Sequence, residues 1–405
     1  MLVSFAWRNI WRQPVRTVLS LVGLALSSLL LVFMLSLQYG AYDAMKVGAL
    51  GLLDGFGQFQ PEGYTDDPDV SRLLPNWETL VDSARQDGVV IATPRAGSFA
   101  IMASGDISFG AAVMGVDPVT EPAVSSLPAT IIEGRYLVEG DAAVIVMGEG
   151  LVRNLGLSVG DSVTMLGTGN GGAVAANVLE LVGIFKTGVS QLDRQITQMP
   201  LAQFQEDYNL GDSVNVVAMR GLDFNAVAAA APALAQLAQE EGAVYLRWDE
   251  LLPEVKQMID LDNSILLLMY GVMISVVVFI LLNTLYMSVL ERTREFGGLM
   301  AIGMRPAQIG AMVWLELIFL ALLGVGMGSA LGVGLTLWIA QVGINFPGIE
   351  ELFRQWGITG EVFPVLSWFS ATAGPGIIAL SIIVLGLIPY RHIKGLAPVK
   401  AMGAA

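Results

Sequence analysis

Four stretches of this chain are apolar over lengths that a helix facing water does not tolerate. Thr17–Tyr39 and Ser264–Leu290 carry no charge over 23 and 27 residues, Ile309–Gln341 carries one charge in 33, and Trp368–Tyr390 carries none. The hydrocarbon core of a bilayer takes roughly 20 residues of helix. None of the four runs has the polar stripe that a surface helix turns to solvent. The pattern therefore predicts four transmembrane helices, at 17–39, 264–290, 309–341 and 368–390. The first is longer than the apolar region of a signal peptide and is read as a retained anchor.

Residues 42–263 have a different texture. Short β-branched runs bounded by Gly, Pro and Asp predict strands at Val89–Thr93, Ser98–Met102, Ala111–Val116, Ala143–Met147, Ser162–Leu166, Val178–Ile184 and Val214–Met219. Helical spacing predicts Pro75–Gln86, Gly148–Leu155, Leu201–Tyr208 and Asn225–Glu240, the last with Asn225 as N-cap. This is an α+β domain with enough chain to bury its own core. Residues 1–16, 291–308, 342–367 and 391–405 make up the rest outside the spans.

Composition gives a chain both oily and acidic, with 54% of residues apolar, 14% charged and a net charge of −15. Location resolves the conflict. Residues 1–16, 291–308 and 391–405 hold nine basic residues against Glu291 and Glu295, a net of +7. Residues 42–263 and 342–367 carry −21, and Glu316 falls alone within a span. Lys and Arg in short loops mark the cytoplasmic face. Both termini and the 291–308 loop are therefore expected in the cytoplasm, with the 42–263 domain outside it.

The acidic surplus excludes nucleic acid as a partner. The chain has no cysteine, which excludes disulfides and thiol catalysis. Its one histidine, His392, sits in the basic flank Arg391–Lys394 and reads as an interfacial group. Gly167–Gly172 (GTGNGG) fits G-x-G-x-x-G only formally: no helix follows it, so it reads as a glycine-rich hairpin. Asp66, Asp67 and Asp69 lack EF-hand spacing and read as a solvated loop. No catalytic set and no metal site emerges, and the chain is expected to be a binding or coupling protein rather than an enzyme.

Two charged segments carry candidate function. Ser4–Arg16 places Phe5, Trp7 and Trp11 beside Arg8, Arg12 and Arg16, which recur every four residues. Trp7, Arg8, Trp11, Arg12 and Arg16 thus predict a helix lying in the headgroup layer, ended by Pro14. In Glu291–Gln308, Phe296, Leu299, Met300 and Ile302 form an apolar flank on a short helix ended by Gly303, with Pro306 opening the next. An amphipathic helix between two spans suits docking into a partner's groove.

Within the spans, Glu316 is a candidate either for function or for a partnered structural charge. Gly324, Gly326, Gly328, Gly332 and Gly334 permit close helix packing, within the chain or across a dimer. Met34, Leu35, Met269 and Met273 offer adaptable apolar surface to a substrate cavity or to lipid. Trp338, Trp356 and Trp368 read as interface anchors.

The 291–308 segment resembles the E-R-x-R-E-I-G-x-L-R-A-I-G-x-x-x-x-Q-I pattern of FtsX-like ABC transporter permeases, the MacB/LolC/LolE superfamily. Glu291, Arg292, Arg294, Glu295, Gly297, Leu299, Ala301, Ile302, Gly303, Gln308 and Ile309 are in register; Phe296 and Met300 depart from it. Ala6–Thr17 is similar to the family's N-terminal helix. Gly148–Leu151, Leu155–Asp161, Val182–Gly188 and the stretch from Asp193 to Leu201 resemble a MacB-type periplasmic domain. The resemblance implies a permease subunit that passes motion to its periplasmic domain, with ATP and Mg bound by a separate cytoplasmic ABC ATPase. It implies Glu291, Arg292, Arg294, Glu295, Phe296, Gly297, Met300 and Gly303 as ATPase-coupling residues, and a second copy or a paralogous permease as partner. The LolE-like run Phe59–Pro68 favours lipoprotein or lipid extraction. MacB-like export of peptides or toxins through a periplasmic adaptor, and FtsX-like regulation of a cell-wall hydrolase, are the alternatives.

Overall fold

The computed structural model describes residues 2–74, 76–85, 90–221, 224–345 and 361–394, without the side chains of residues 281, 284, 285, 288, 392 and 394. The readings placed on Pro75, Gln86, Val89, Trp356, Lys400, the side chains of His392 and Lys394, and residues 346–360 lie outside these. The chain divides into two compact units. One holds residues 1–42, 259–345 and 361–405; the other holds 43–258 and 346–360.

In chain order, Leu2–Ile10 (α1) and Pro14–Leu52 (α2) precede a strand, Gly57–Gln60 (β1). Trp77–Arg85 (α3), Val90–Ser104 (β2) and Ile107–Val116 (β3) follow, then Glu121–Val124 (α4) and Ile131–Gly134 (β4). Next come Val144–Gly148 (β5), Glu149–Leu155 (α5), Ser162–Thr168 (β6), Val174–Phe185 (β7), Leu192–Gln195 (α6) and Ile196–Pro200 (β8). Leu201–Asp207 (α7), Val216–Gly221 (β9), Phe224–Glu240 (α8), Val244–Arg247 (β10) and Trp248–Leu251 (α9) complete the α+β part. Pro253–Glu291 (α10), Thr293–Ala301 (α11), Pro306–Val342 (α12), Trp368–Leu385 (α13) and Leu387–Lys394 (α14) follow.

Among the described residues, four helical stretches are long and apolar enough to cross a membrane, one before the α+β part and three after it. The helices outrun the apolar stretches. α2 continues for 13 residues past Tyr39 because Ala, Met, Lys and Leu sustain a helix without needing lipid. The expected span 368–390 falls within the helical stretch Trp368–Arg391, whose hydrogen bonding is locally broken at Gly386. Pro389 cannot donate to residue 385, and a side chain at Gly386 would meet Leu317 at 2.7 Å.

In the membrane unit, α2, α12 and α13 share a core of Leu24, Leu31, Ala321, Val325, Ile378 and Ile382. Glycine makes that approach possible. A Cβ on Gly324, Gly328 or Gly332 would stand 2.6 Å from Leu24, 2.2 Å from the Ala25 carbonyl and 3.0 Å from Val32. The i, i+4, i+8 spacing is thus used within the chain, whereas Gly326 and Gly334 face open space. Toward the other ends of these helices, the Val365 amide donates to the Ser36 carbonyl at 2.9 Å. Nearby, Gln38 and Tyr42 both donate to Asp262 of α10 at 2.7 Å.

In the α+β unit the strand order is β10-β1-β9-β2-β3-β8-β5-β7-β4, with β6 joining β2 to β7. The pairings β2-β3-β8-β5-β7-β6-β2 therefore close a circuit around buried Met102, Val113, Met147, Val163, Met165 and Leu179. The predicted strands Val89–Thr93 and Ser98–Met102 are one strand, since β2 changes partner from β9 to β3 at Arg95 rather than ending at Pro94. β1, β4, β8 and β10 are additional, each of four or five residues. GTGNGG is the hairpin linking β6 to β7, with Gly171 and Gly172 at φ +67° and +82°.

The end of α2 is clamped in this unit. Its orphan carbonyls accept from the Gly55 amide (Leu50, 2.7 Å), the Ser126 amide (Gly51, 2.8 Å) and the Ser125 hydroxyl (Leu52, 2.6 Å). Just past the helix, the Gln58 side-chain amide donates to the Asp54 carbonyl at 2.7 Å. The Leu53 carbonyl accepts from Arg95, which is itself held by Glu121 in a buried bidentate pair at 2.8 and 2.9 Å.

Candidate functional site

The charged N-terminal segment, the 291–308 loop and Glu316 meet at one end of the membrane unit. α1 stops at Ile10, and Pro14 opens α2, so the four-residue arginine series does not run along one helix: Arg8 lies on α1, Arg12 in the turn and Arg16 on α2. The Thr17 hydroxyl donates to the Ile10 carbonyl and fixes that bend. Ala6 and Ile10 turn inward, while Phe5, Trp7 and Trp11 remain exposed, Trp7 standing edge-on to Phe319 at 5.6 Å.

α11 begins at Thr293 and ends before Gly303, whose φ of +103° suits glycine. Pro306 then opens α12. The apolar flank divides: Phe296 and Met300 are buried with Val289, Ile309, Val313 and Ile393, Gly297 is buried as well, and Ile302 is 87% exposed. Phe296, Gly297 and Met300 therefore do not form an outward docking surface; they seat α11 on the bundle. The outward side carries Arg294, Gly298, Ala301, Ile302 and Arg305.

The acids of the loop point back to the N-terminal segment. Glu295 pairs with Arg12 at 3.0 Å, and Glu291 holds Arg16 through two bonds of 2.9 and 3.2 Å. Beneath them, largely buried Glu316 receives Arg292 at 3.3 Å and the Asn9 side-chain amide. Arg292 also reaches Glu295 at 3.6 Å and stands 5.3 Å over the Phe296 ring. Glu316 is thus a partnered charge joining α1, the loop and α12. Exposed ion pairs add little net stability, so the Arg12 and Arg16 contacts can break and re-form, whereas the Glu316 node is shielded. Sequence reasoning missed Asn9, whose only signal is a polar side chain one turn before Arg12.

The four candidate cavity residues do not share one surface. Met34 and Met269 are exposed, Leu35 is half-buried, and Met273 packs on the α2–α12–α13 core. In the α+β unit, the family-like stretches converge: a Cβ on Gly148 would meet the Asp193 carbonyl at 2.3 Å, and Asp193 accepts from the Thr187 amide and hydroxyl at 2.8 and 2.7 Å. Asp67 pairs with Arg72, and the Ser71 hydroxyl and amide hold the Asp69 carboxyl below its ordinary range.

One apolar helix, a closed-circuit α+β domain and three more apolar helices define a membrane protein with an inserted extramembrane domain. The sequence matches the MacB-like periplasmic core domain over residues 17–239 and the FtsX-like permease C-terminal region over residues 267–398. The chain belongs to this FtsX-like, MacB-domain family of ABC transporter permeases, and is an inner-membrane protein with a periplasmic domain. Family members work with a cytoplasmic ATPase. The chain is 25% identical to the lipoprotein-releasing system transmembrane protein LolC of Neisseria meningitidis serogroup B, over 95% of this chain and 93% of that one. It is 25% identical to the pyoverdine export ATP-binding/permease protein PvdT of Pseudomonas syringae pv. syringae, over 89% of this chain, and spans about half of that protein's length (56%). The crystal structure of the periplasmic region of MacB from Actinobacillus actinomycetemcomitans aligns with a TM-score of 0.37 and 16% identity, covering 51% of this chain and 93% of that one.

Proposed function

We propose that this chain is the permease subunit of a transporter that releases lipoproteins or lipids from the inner membrane, driven by a separate ABC ATPase that binds the ATP and Mg. The observation carrying this reading is the node at Glu316, which ties the N-terminal helix, the 291–308 loop and α12 into one body. A push on α11 from a cytoplasmic partner reaches α12 through Arg292 and the α1–α2 bend through Glu295 and Glu291. Both termini are then cytoplasmic, and a second copy or a paralogue completes the permease. The match to LolC along nearly its whole length supports lipoprotein release over export. The match to PvdT along 89% of this chain favours export of a small molecule or peptide as the second reading.

The ATPase-facing surface under this proposal is Arg294, Ile302 and Arg305, not the buried flank. The charge-reversing, depolarising triple variant Arg294→Glu/Ile302→Ser/Arg305→Glu touches only exposed side chains. It should cut co-purified ATPase at least tenfold at unchanged thermal midpoint. Full recovery of the ATPase would sink the docking surface. Photo-cross-linking from Met34 to an acylated lipoprotein tests the cargo, and capture of a soluble peptide instead supports the export reading.

A further inference from the structure

The node described above encloses a cavity of about 310 Å³. Its lining is two-sided. Arg12, Arg16 and Arg292 face it, balanced by Glu295 and Glu316 in the lining and by Glu291 behind Arg16, while Ile10, Val289 and Leu320 give it an apolar wall. A second cavity of about 160 Å³ shares Arg16 and Ser20 with the first and continues between α2 and α10. There the lining turns apolar, with Leu19, Gly23, Leu24, Val277 and Ile280. The exposed Phe5, Trp7 and Trp11 beside these cavities are the side chains that settle at a headgroup layer.

A chamber lined by three arginines, two of them held only by exposed carboxylates, opens into an apolar groove along two spans and matches one class of ligand, an amphiphile with an anionic head. We propose that the two cavities together bind one anionic phospholipid, its phosphate among Arg12, Arg16 and Arg292 and one acyl chain in the α2–α10 groove. This goes beyond the transport reading and depends only on α2 and α10 being membrane spans. The phosphate competes with Glu295 and Glu291 for Arg12 and Arg16. Lipid occupancy therefore loosens the tie between the N-terminal segment and the 291–308 loop and sets how readily the two move apart.

Gly23 supplies a clean test. A Cβ there meets nothing within 4 Å, so Gly23→Leu enters the groove without a backbone clash and occupies the space an acyl chain would take. The full-length chain, delipidated in detergent, is titrated with phosphatidylglycerol, with phosphatidylcholine of the same acyl chains, and with inorganic phosphate, and read by native mass spectrometry and thermal midpoint. One retained phosphatidylglycerol per chain, with a raised midpoint, is expected, and neither effect from the other two ligands. Arg16→Gln should weaken retention about fivefold, as for one basic contact at an anionic surface, and Gly23→Leu should weaken it at least as much at an unchanged lipid-free midpoint. Equal retention of both lipids overturns the headgroup assignment. Equal midpoint shifts from phosphate alone overturn the lipid in favour of a free anion. Undiminished binding to Gly23→Leu overturns the acyl-chain groove.

Discussion

Replacing Glu121 by Leu should destabilise the α+β unit more than any other single change of a charged residue in it. Glu121 is fully buried, and its two oxygens neutralise Arg95, which is also buried and donates to the Leu53 carbonyl. The substitution leaves a guanidinium in the core with one backbone acceptor. Removing one partner of a buried pair costs about 3–5 kcal/mol, because the surviving charge keeps its desolvation penalty. Arg95 has a second duty: burial raises the Asp54 carboxyl above its ordinary range, and Arg95 opposes that rise. The double variant Arg95→Met/Glu121→Leu should therefore recover most, but not all, of the loss, leaving the Leu53 carbonyl unbonded. Thermal midpoints of the full-length single and double variants, combined as a double-mutant cycle, check this. A double variant as unstable as the sum of the singles would refute the paired-charge account.

The same residues explain what the sequence could and could not disclose. The spans were legible because an uncharged run of 20 residues has few alternatives, and the α+β class because turn residues punctuate short β-branched runs. Strand β8 was not. Ile196–Pro200 contains Thr197 and Gln198, which read as surface yet are fully buried, Gln198 accepting from the Tyr136 hydroxyl. Local pattern cannot report a partner 62 residues away. The parts of the site showed, but their pairing did not, for a related reason. Amphipathicity identified the apolar side of α11 but not what covers it, and Phe296 meets Ile309 and Ile393 rather than another protein. Arg292 and Glu316 are 24 residues apart across Pro306, and only the fold makes them a pair.

The two kinds of tie differ in how firmly they hold. The exposed pairs at Arg12 and Arg16 are separable, while the end of α2 is fixed by three carbonyl bonds, with two more and a buried ion pair just past it.

α2 packs on α12 with no room for a side chain at Gly328, so Gly328→Ala should be far more damaging than one methyl suggests. The added Cβ would lie 2.2 Å from the Ala25 carbonyl oxygen and 2.7 Å from both the Ala25 Cα and the Ser28 Cβ. Two of those atoms are backbone, so no rotamer change makes room and the helices must separate. Overpacking of this kind costs about 1–3 kcal/mol, and separation also loosens the contacts at Gly324 and Gly332 one turn to either side. Gly326 lies on the same helix with nothing within 4 Å. Gly326→Ala should raise stability by up to about 1 kcal/mol, since alanine is the better helix former. The pair therefore predicts opposite signs from the same chemical change two residues apart. Thermal midpoints and size-exclusion profiles in one detergent separate the outcomes: Gly328→Ala should melt several degrees lower and broaden or aggregate, while Gly326→Ala should elute unchanged. If both variants behave alike, α2 does not pack against α12 along Gly324, Gly328 and Gly332.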